Sequence, residues 1–147
     1  MKLIVSILLA VIIINLQSCK TQKPAASSET GQALQDIYWR LTELMGKPIG
    51  VTPNGKREIH IKLISEGKKV EAFAGCNGVG GTYEINAGNR IRFSNLIGTM
   101  MACDEMATEN SLLEALKMTD NYSLNGNTMT LNKARMAPLA RFEAVVK

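Results

Sequence analysis

Hydrophobic and polar residues alternate in several short segments of the chain. Residues 59–63 read IHIKL and residues 90–93 read RIRF. Because side chains in a strand point to opposite faces in turn, this pattern predicts β-strands with one face buried and one in water. Both arginines of the second segment then lie on the solvent face. Further strands are predicted at residues 37–41, 70–75, 82–85, 122–124, 129–131 and 139–145.

One segment has a different period. Between Met106 and Met118 the apolar residues recur at helical spacing, with Leu112 and Leu116 on one side. Glu109 and Met106 continue this pattern toward the start of the segment. The spacing predicts a helix. Either Thr108 or Asp104 could cap it, and the sequence does not choose between them.

The elements together predict the fold class. Seven or eight short strands occur with one late helix, and no strand–helix–strand alternation supports a parallel sheet. Asn125-Gly126-Asn127 joins two of the strands, and Asn-Gly predicts a tight hairpin of type I′. We therefore expect a mainly β protein, a small antiparallel barrel-like or sandwich-like sheet with one inserted α-helix.

The first residues have the pattern of an export signal. Residues 3–14 read LIVSILLAVIII, which is shorter than the roughly 20 apolar residues of a membrane span. The LQSC that follows at residues 16–19 resembles a bacterial lipobox, in which Cys19 would be lipidated. Residues 1–18 are thus a predicted lipoprotein signal peptide. The alternatives are an ordinary signal peptide with a chance cysteine and an uncleaved short anchor.

A polar segment follows the proposed lipidation site. Residues 20–35 read KTQKPAASSETGQALQ, so we interpret residues 19–35 as a flexible tether, with a reach of about 20–25 Å, and residues 36–147 as the folded domain. More than one acyl chain on Cys19 would make membrane anchoring stable. No acidic cluster follows Cys19, which favours the outer membrane of the cell envelope, with the domain facing the periplasm.

Charge and composition exclude several functions. The 147 residues carry 17 Lys and Arg against 13 Asp and Glu, with no basic block, so nucleic acid is not an expected partner. His60 is the single histidine, which excludes His-clustered metal sites and mechanisms that need two imidazoles. Asp104, Glu105 and Glu109 lie near the predicted helix start, where acidic groups complement the helix dipole. We expect no enzyme activity, catalytic residue, cofactor or metal.

Two cysteines remain besides Cys19. Cys76 and Cys103 in an exported domain predict one disulfide, whose loop of about 28 residues would contribute about 3.5 kcal/mol. Two free thiols are an alternative. A soft-metal site is another, because thioether sulfur at residues 100, 101 and 106 lies close in sequence to Cys103.

The surroundings of Cys76 are rich in glycine. Residues 74–83 read AGCNGVGGTY. No lysine follows the glycines as in a phosphate-binding loop, and no helix is predicted behind them. These glycines are interpreted as providing positive φ or close backbone approach at a turn or bulge.

Short motifs occur at residues 39–41, 75–77, 80–83 and 97–103. Together they resemble a META domain, the domain of the heat-shock lipoprotein HslJ. The resemblance covers about residues 36–146. It implies an all-β, barrel-like fold with a helix in an envelope protein, often a lipoprotein, linked to stress or antibiotic tolerance. It assigns no catalytic residues. The motif residues are Trp39, Gly75, Asn77, Gly80, Tyr83, Thr99 and Met101, together with the two cysteines of the domain.

Three functional hypotheses follow. The first is a non-enzymatic envelope lipoprotein that binds another envelope protein or serves in a stress response. The second is a small barrel that binds an apolar small molecule, since barrels of this size can hold one ligand. The third, an enzyme of unknown type, has no recognisable group of catalytic residues to support it.

Overall fold

A computed structural model describes residues 34–50, 57–103 and 106–145. The proposed signal peptide, the lipidation site Cys19 and most of the proposed tether lie outside these ranges. Leu34 and Gln35, assigned above to the tether, belong to the folded domain. Leu34 is fully buried, and Gln35 forms a β-bridge with Leu63 and donates a hydrogen bond to the hydroxyl of Tyr83. Across the described ranges no helix is both long and apolar enough to span a bilayer.

The described chain forms nine strands and one long helix. The helix α1 has the bounds expected from its periodicity. The strands are more numerous and several are longer than expected, and β2 has two residues. The elements are β1 (Tyr38–Leu44), β2 (Lys47–Pro48), β3 (His60–Ile64), β4 (Lys69–Phe73), β5 (Gly78–Asn86), β6 (Arg90–Gly98), α1 (Met106–Met118), β7 (Asn121–Asn125), β8 (Thr128–Asn132) and β9 (Ala140–Val145).

The strands form one antiparallel sheet that closes into a ring. Their order is β2-β1-β3-β4-β5-β6-β7-β8-β9, and β9 returns to pair with β1. The join between β6 and β7 is short, with one register pair, Arg90 and Asn121. Helix α1 packs against β6, β1 and β8. The barrel-like fold class predicted from the sequence is confirmed.

Alternation of side chains produces the core. Ile61 and Leu63 are fully buried, and Ile91 and Phe93 are buried while Arg90 and Arg92 stay exposed. Full burial of such a side chain contributes roughly 1.5–3 kcal/mol. The helix adds the side chains of its apolar face to the same cluster. Other members include Trp39, Leu41, Val70, Val79, Tyr83, Leu112, Leu116, Tyr122, Met129, Leu131 and Phe142.

Because neighbouring strands run in opposite directions, their connections fall alternately at two ends of the ring. We call one the turn end: it holds residues 34–37, 65–68, 87–89 and 126–127. We call the other the loop end: it holds residues 45–50, 57–59, 74–77, 99–103 and 133–139, and α1 follows from it. The described chain begins at the turn end, at Leu34.

Two local expectations hold only in part: the tight hairpin between β7 and β8 is confirmed but not its turn type, and one of the two possible helix caps is excluded. Thr108 does not cap the helix, because it lies inside α1; Asp104 lies outside the described residues. The hairpin turn between β7 and β8 consists of Gly126 and Asn127, and of these only Gly126 has positive φ, at 56°. A type I′ turn needs positive φ at both central residues, so this turn is not of that type.

The glycine-rich segment is mostly strand. We expected a turn or bulge here, and β5 instead starts at Gly78 and runs through the glycines. A bulge is present, since the register with β6 shifts between Gly80 and Thr82. At Gly81 an added Cβ would lie 2.8 Å from Leu96 Cδ2 and 2.9 Å from the carbonyl oxygen of Ser94. The close approach of β6 therefore requires glycine at this position.

Candidate functional site

The two domain cysteines meet at the loop end. Cys76 lies between β4 and β5, and Cys103 lies between β6 and α1. The disulfide predicted between them is present, with their Cα atoms 6.2 Å apart. The backbone reverses beside it because Gly75 adopts φ 109°, which favours glycine. Since the Cys103 sulfur is bonded to Cys76, it is not a free thiolate for the soft-metal site considered above.

Asn77, the next residue, is fully buried, and its polar atoms all have partners. Its carbonyl oxygen accepts a hydrogen bond from Ala74 N at 3.0 Å. Its side-chain Oδ1 accepts bonds from Thr99 Oγ1 at 2.7 Å and from Met101 N at 2.9 Å. Its Nδ2 donates to Met101 O at 3.1 Å. Asn77 thus holds the segment after β6 through that segment's own backbone.

The remaining contacts of Asn77 go to Glu109 in the first turn of α1. Backbone N of Asn77 donates to Glu109 Oε2 at 3.0 Å, and Nδ2 lies 3.0 Å from both carboxylate oxygens. Only 4% of Glu109 is exposed, and no Lys or Arg of the described chain pairs with it. The helix dipole and the Asn77 donors are therefore what stabilises this buried carboxylate. We call Asn77, Glu109, Thr99 and the Met101 backbone the Asn77 cluster.

Sequence reasoning missed the role of Glu109. Its place near the helix start was explained by the dipole alone. A signal was available, because Glu109 lies three residues before Leu112 on the stripe that α1 buries. A carboxylate on the apolar side of a helix must find hydrogen-bond donors, since an unpaired buried charge is very costly.

The motif residue Met101 acts through its backbone and leaves its side chain in solvent. The side chain of Met101 is 58% exposed, and that of Met100 is 98% exposed. Ile97, at the end of β6, is 75% exposed. Exposed apolar side chains of this size are unusual when they are neighbours, and such patches mark interaction sites. Two other large exposed side chains, Met45 and Met136, also lie at the loop end.

The motif residues Trp39 and Tyr83 belong to the core instead of the Asn77 cluster. Trp39 is 2% exposed, and its Nε1 donates to the carbonyl oxygen of Leu34 at 2.9 Å. The hydroxyl of Tyr83 donates to the carbonyl oxygen of Ile64 at 3.1 Å. Both residues fix the first described residues of the chain against the turn end. The motif therefore divides between two regions of the molecule.

The remaining motif residue, Gly80, lies on the outer face of β5. Neither Gly80 nor Gly78 has positive φ, and a Cβ added at either would meet nothing within 4 Å. The fold does not require glycine at these two positions.

The single histidine lies in a row of stacked side chains on the outer face of the sheet. The ring of His60 stacks on Tyr38 with centroids 4.2 Å apart and lies 6.2 Å from the ring of Phe73, over which Arg57 lies at 4.9 Å. Its Nδ1 lies 2.8 Å from the carbonyl oxygen of Glu58, to which the neutral ring donates. Burial lowers the pKa of His60, and the neighbouring Arg57 acts in the same direction.

A cleft of about 230 Å³ opens beside this row at the loop end. Its apolar wall includes Leu41, Ile49 and Ile59. Arg40 crosses it and pairs with Glu143 at 2.9 Å and with Glu58 at 3.4 Å. Both guanidinium NH2 groups thus contact carboxylates. Within the described ranges no three His, Cys, Asp or Glu side chains are grouped so that they could hold a metal ion.

Comparison with known families decides the relationship. The model of the META domain matches residues 32–146, most of the chain. The chain belongs to the META domain family. The resemblance found from the cysteine and glycine motifs is thereby confirmed, and the match begins before Leu34, in agreement with the burial of that residue. No curated protein was found to match the sequence.

Solved structures similar to this META domain show the same fold. The NMR structure of a protein from Burkholderia xenovorans is 25% identical, with a TM-score of 0.63 over 81% of this chain and 88% of that one. A second NMR structure is 22% identical, with a TM-score of 0.60 over 76% and 92% of the two chains. A crystal structure of a DUF4847 family protein from Bacteroides vulgatus is 12% identical, with a TM-score of 0.54 over 78% and 96%.

Proposed function

We propose that this META protein is a non-enzymatic lipoprotein of the bacterial cell envelope, similar to HslJ, that binds another envelope protein in a stress response. Cys19 carries the lipid, and residues after it tether the domain to the outer membrane on the periplasmic side. No cofactor or metal takes part. The domain acts as a rigid module that presents a binding surface.

The observation that carries the binding role is the way the motif residues use their polar groups. Asn77 and Glu109 direct their hydrogen bonds at one another and at the segment of residues 99–101. What they present to solvent is the apolar pair Met100 and Met101. Buried hydrogen bonds and a disulfide already hold this segment in place. Binding through these side chains therefore costs little further conformational entropy of the backbone.

The position of Leu34, the first described residue, is the second observation in support of the anchored arrangement. Leu34 is fixed at the turn end, on the opposite side of the ring from Met100. A flexible tether that enters at the turn end holds the domain off the membrane without fixing its orientation, so the loop end is free to face the periplasm. The domain then offers its exposed methionines to proteins in the periplasm.

Metabolic labelling with a clickable fatty acid tests the anchor. The full-length protein is expected to take up the label and to sediment with membranes. The Cys19→Ser variant is expected to lose both properties, and the Cys76→Ser/Cys103→Ser variant serves as a cysteine control that keeps the label. Label that persists without Cys19 would contradict the anchor.

Growth after heat shock tests the stress role. A strain without the protein is expected to recover more slowly, and the wild-type gene is expected to restore recovery. The Asn77→Ala variant, which loosens the segment that carries Met100, is expected to restore it poorly at equal protein level. Equal recovery of all strains would contradict the stress role.

The cleft beside Arg40 favours a second candidate function, the binding of a small apolar molecule. Leu41, Ile49 and Ile59 provide an apolar wall. The cleft has a volume of about 230 Å³, which suits a molecule smaller than most drug-sized ligands. Thermal shifts against a set of small apolar compounds test this function. A positive compound should lose its effect in the Ile59→Trp variant, in which the new side chain fills the cleft.

A further inference from the structure

The methionine side chains of the described chain differ widely in exposure. Met100 is 98% exposed and Met136 is 65% exposed, whereas Met129 in the core is fully buried. Met101, next to Met100, is 58% exposed, and Met45 is 36% exposed. A dissolved oxidant reaches an exposed sulfur directly, but a buried sulfur reacts only after local opening of the fold. Among the described residues, Met100 is therefore the thioether that an oxidant meets most readily.

Thiols do not compete for the oxidant in this part of the protein. Thiolates are the usual first targets of oxidants. Cys76 and Cys103, the two cysteines of the described ranges, are bonded to each other. The indole of Trp39, another oxidisable side chain, is buried. An oxidant that reaches the loop end therefore finds thioether sulfur as the most reactive group there.

The backbone that carries the two exposed methionines does not depend on their side chains. Met101 N donates to Asn77 Oδ1 at 2.9 Å, and Met101 O accepts from Asn77 Nδ2 at 3.1 Å. The disulfide at Cys103 holds the same segment two residues later. An oxygen atom added to the sulfur of Met100 or Met101 needs no space in the core and breaks none of these bonds. At Met129 the same change would place a polar sulfoxide among buried apolar side chains, which is costly.

Oxidation at this place changes the surface instead of the fold. Ile97, at the end of β6, is also exposed, so Ile97, Met100 and Met101 form the exposed apolar part of residues 97–101. Two of these three side chains are thioethers. A sulfoxide is polar, whereas the methionine side chain is apolar. Oxidation of both methionines therefore removes most of the apolar surface of this segment.

We propose that Met100 and Met101 are a modification site at which hypohalous acids oxidise both thioethers to sulfoxides, and that this oxidation changes the surface of residues 97–101 from apolar to polar. Binding of another protein at that surface is then lost. This last consequence alone rests on the proposed function.

The reaction balances with hypochlorous acid as the oxidant. The sulfur lone pair attacks chlorine, and the oxygen–chlorine bond breaks and releases hydroxide. Water then attacks the chlorosulfonium sulfur, chloride leaves, and two protons are lost, one of which neutralises the hydroxide. Sulfur thereby loses the electron pair that chlorine gains. Methionine sulfoxide reductases, one for each sulfoxide epimer, reverse the change with electrons from thiols.

Titration of the intact protein with hypochlorous acid, after purification in the form that the producing cell makes, tests the site. Peptide mass spectrometry follows the sulfoxide at each methionine. Met100 is expected to react at least about tenfold faster than Met129, whose oxidation needs local opening. Oxidation of Met100 and Met101 is expected to change the melting temperature by less than about 2 °C. Retention of the same samples on a phenyl column should fall, because the surface has become more polar.

Variants assign the loss of retention to this site. Met100→Leu/Met101→Leu keeps the apolar surface but cannot form the sulfoxides, so it is expected to keep most of its retention after oxidant. Met100→Gln/Met101→Gln, with polar side chains of similar length, is expected to elute early without oxidant. Met136→Leu, at another exposed methionine of the loop end, is the matched control and should lose most of the retention that the wild type loses.

Three outcomes would overturn the proposal. One is a reaction at Met129 as fast as the reaction at Met100. The second is an equal loss of retention by the double leucine variant and the wild type, which would place the change at other methionines. The third is a fall in melting temperature greater than about 2 °C with oxidation confined to Met100 and Met101, which would make the reaction damage to the fold. Column retention needs no partner protein, so failure of this site and failure of the proposed binding role are distinguishable.

Discussion

At the turn end, three hairpins close through four residues or fewer, whereas at the loop end residues 74–77 and 99–103 are joined by a disulfide and one buried asparagine. The short turns join strands that are adjacent in sequence. The Asn77 cluster joins residues up to 32 positions apart. The hairpin turns of the turn end are thus specified locally, whereas the Asn77 cluster of the loop end is specified by tertiary contacts.

The exposed side chains differ in the same way. The large exposed apolar residues of the described chain, Ile97 and four methionines, lie at the loop end. The turn end presents small and polar residues such as Gly88 and Asn127. Exposed apolar surface therefore lies at the end where buried hydrogen bonds hold residues 99–101, which is why the proposed binding surface is placed there.

The largest expected effect comes from breaking the loop end at Asn77. Asn77→Ala should lower the free energy of unfolding by about 3 kcal/mol or more, because it leaves the buried Glu109 carboxylate with only the backbone N of residue 77 as a donor and removes the bonds to Thr99 and Met101. Denaturant unfolding measures the change. Asn125→Ala, an exposed asparagine at the turn end, is the matched control and should change stability by less than about 0.5 kcal/mol.

A second substitution tests the cause of that loss. In the Asn77→Ala/Glu109→Leu double variant the buried charge is gone, so the loss should be smaller than the sum of the two single losses by about 1 kcal/mol or more. Strict additivity would show that Asn77 and Glu109 do not act together.

Removing the disulfide should have an effect of comparable size. Reductant is expected to lower the stability of the wild type by about 3.5 kcal/mol, since the bridge closes a loop of 27 positions between Cys76 and Cys103. Thermal melts with and without reductant measure this. The Cys76→Ser/Cys103→Ser variant should melt at one temperature in both conditions. An unchanged wild-type melt with two titratable thiols would contradict the bridge.

Glycine substitutions should distinguish a glycine that the backbone requires from one that it does not require. Gly88→Ala at the turn end is expected to cost about 1 kcal/mol, because this residue has φ 73° in open space. Gly78→Ala beside the loop end is expected to cost nothing, since its φ suits alanine. If denaturant titration showed equal losses, the contrast between required and unrequired glycines would be wrong.

The smallest effect concerns pH. Stability falls with falling pH at both ends, but over a different pH range at each end. The pKa of His60, beside the loop end, lies below its ordinary 6.5 because of burial; Arg57 adds to this, and Glu58 and Glu71 oppose it. As the pH falls below 6.5, His60 is therefore protonated in the unfolded chain before it is protonated in the folded protein. The free energy of unfolding falls over this range, and the contribution of His60 stops changing below the folded pKa. His60→Gln should remove this slope in denaturant midpoints measured from about pH 8 to pH 4.

At the turn end the carboxyl of Asp36 titrates at lower pH. Hydrogen bonds from Ser65 hold the pKa of Asp36 below its ordinary 3.8. Its contribution to stability is present above pH 3.8 and is lost as the pH falls toward the folded pKa. Asp36→Asn should change how the free energy of unfolding depends on pH below pH 4. It should leave the dependence caused by His60 unchanged. A change in the slope near pH 6.5 would show that the two groups are coupled.

The sequence predicted what depends on local order. The period of two at residues 59–63 and 90–93 placed strands and their buried faces correctly, and the apolar spacing from Met106 to Met118 gave the helix with its observed bounds. The disulfide followed from counting cysteines in a chain expected to be exported. These features need no knowledge of distant contacts.

What the sequence did not predict depends on pairing between distant segments. The strand character of residues 78–81 was missed because glycines weaken any strand pattern, and only the partners β4 and β6 make a strand there. The hydrogen bonds between Asn77 and Glu109 join residues 32 positions apart, and no local pattern encodes such a pair. The close approach or bulge expected for these glycines is present at Gly81, but its position depends on the pairing with β6.

The burial of Asn77 has a chemical consequence for the lifetime of the protein. Asn77 precedes Gly78, and asparagine before glycine is prone to deamidation, in which the glycine nitrogen attacks the side-chain carbonyl carbon and ammonia leaves. The bonds from Thr99 and Met101 hold that side chain in place and oppose the attack. Asn125, exposed before Gly126 at the turn end, has no such restraint. Of these two sites Asn125 is therefore expected to deamidate first, and damage at Asn77, which would set an aspartate against Glu109, follows only when the cluster opens.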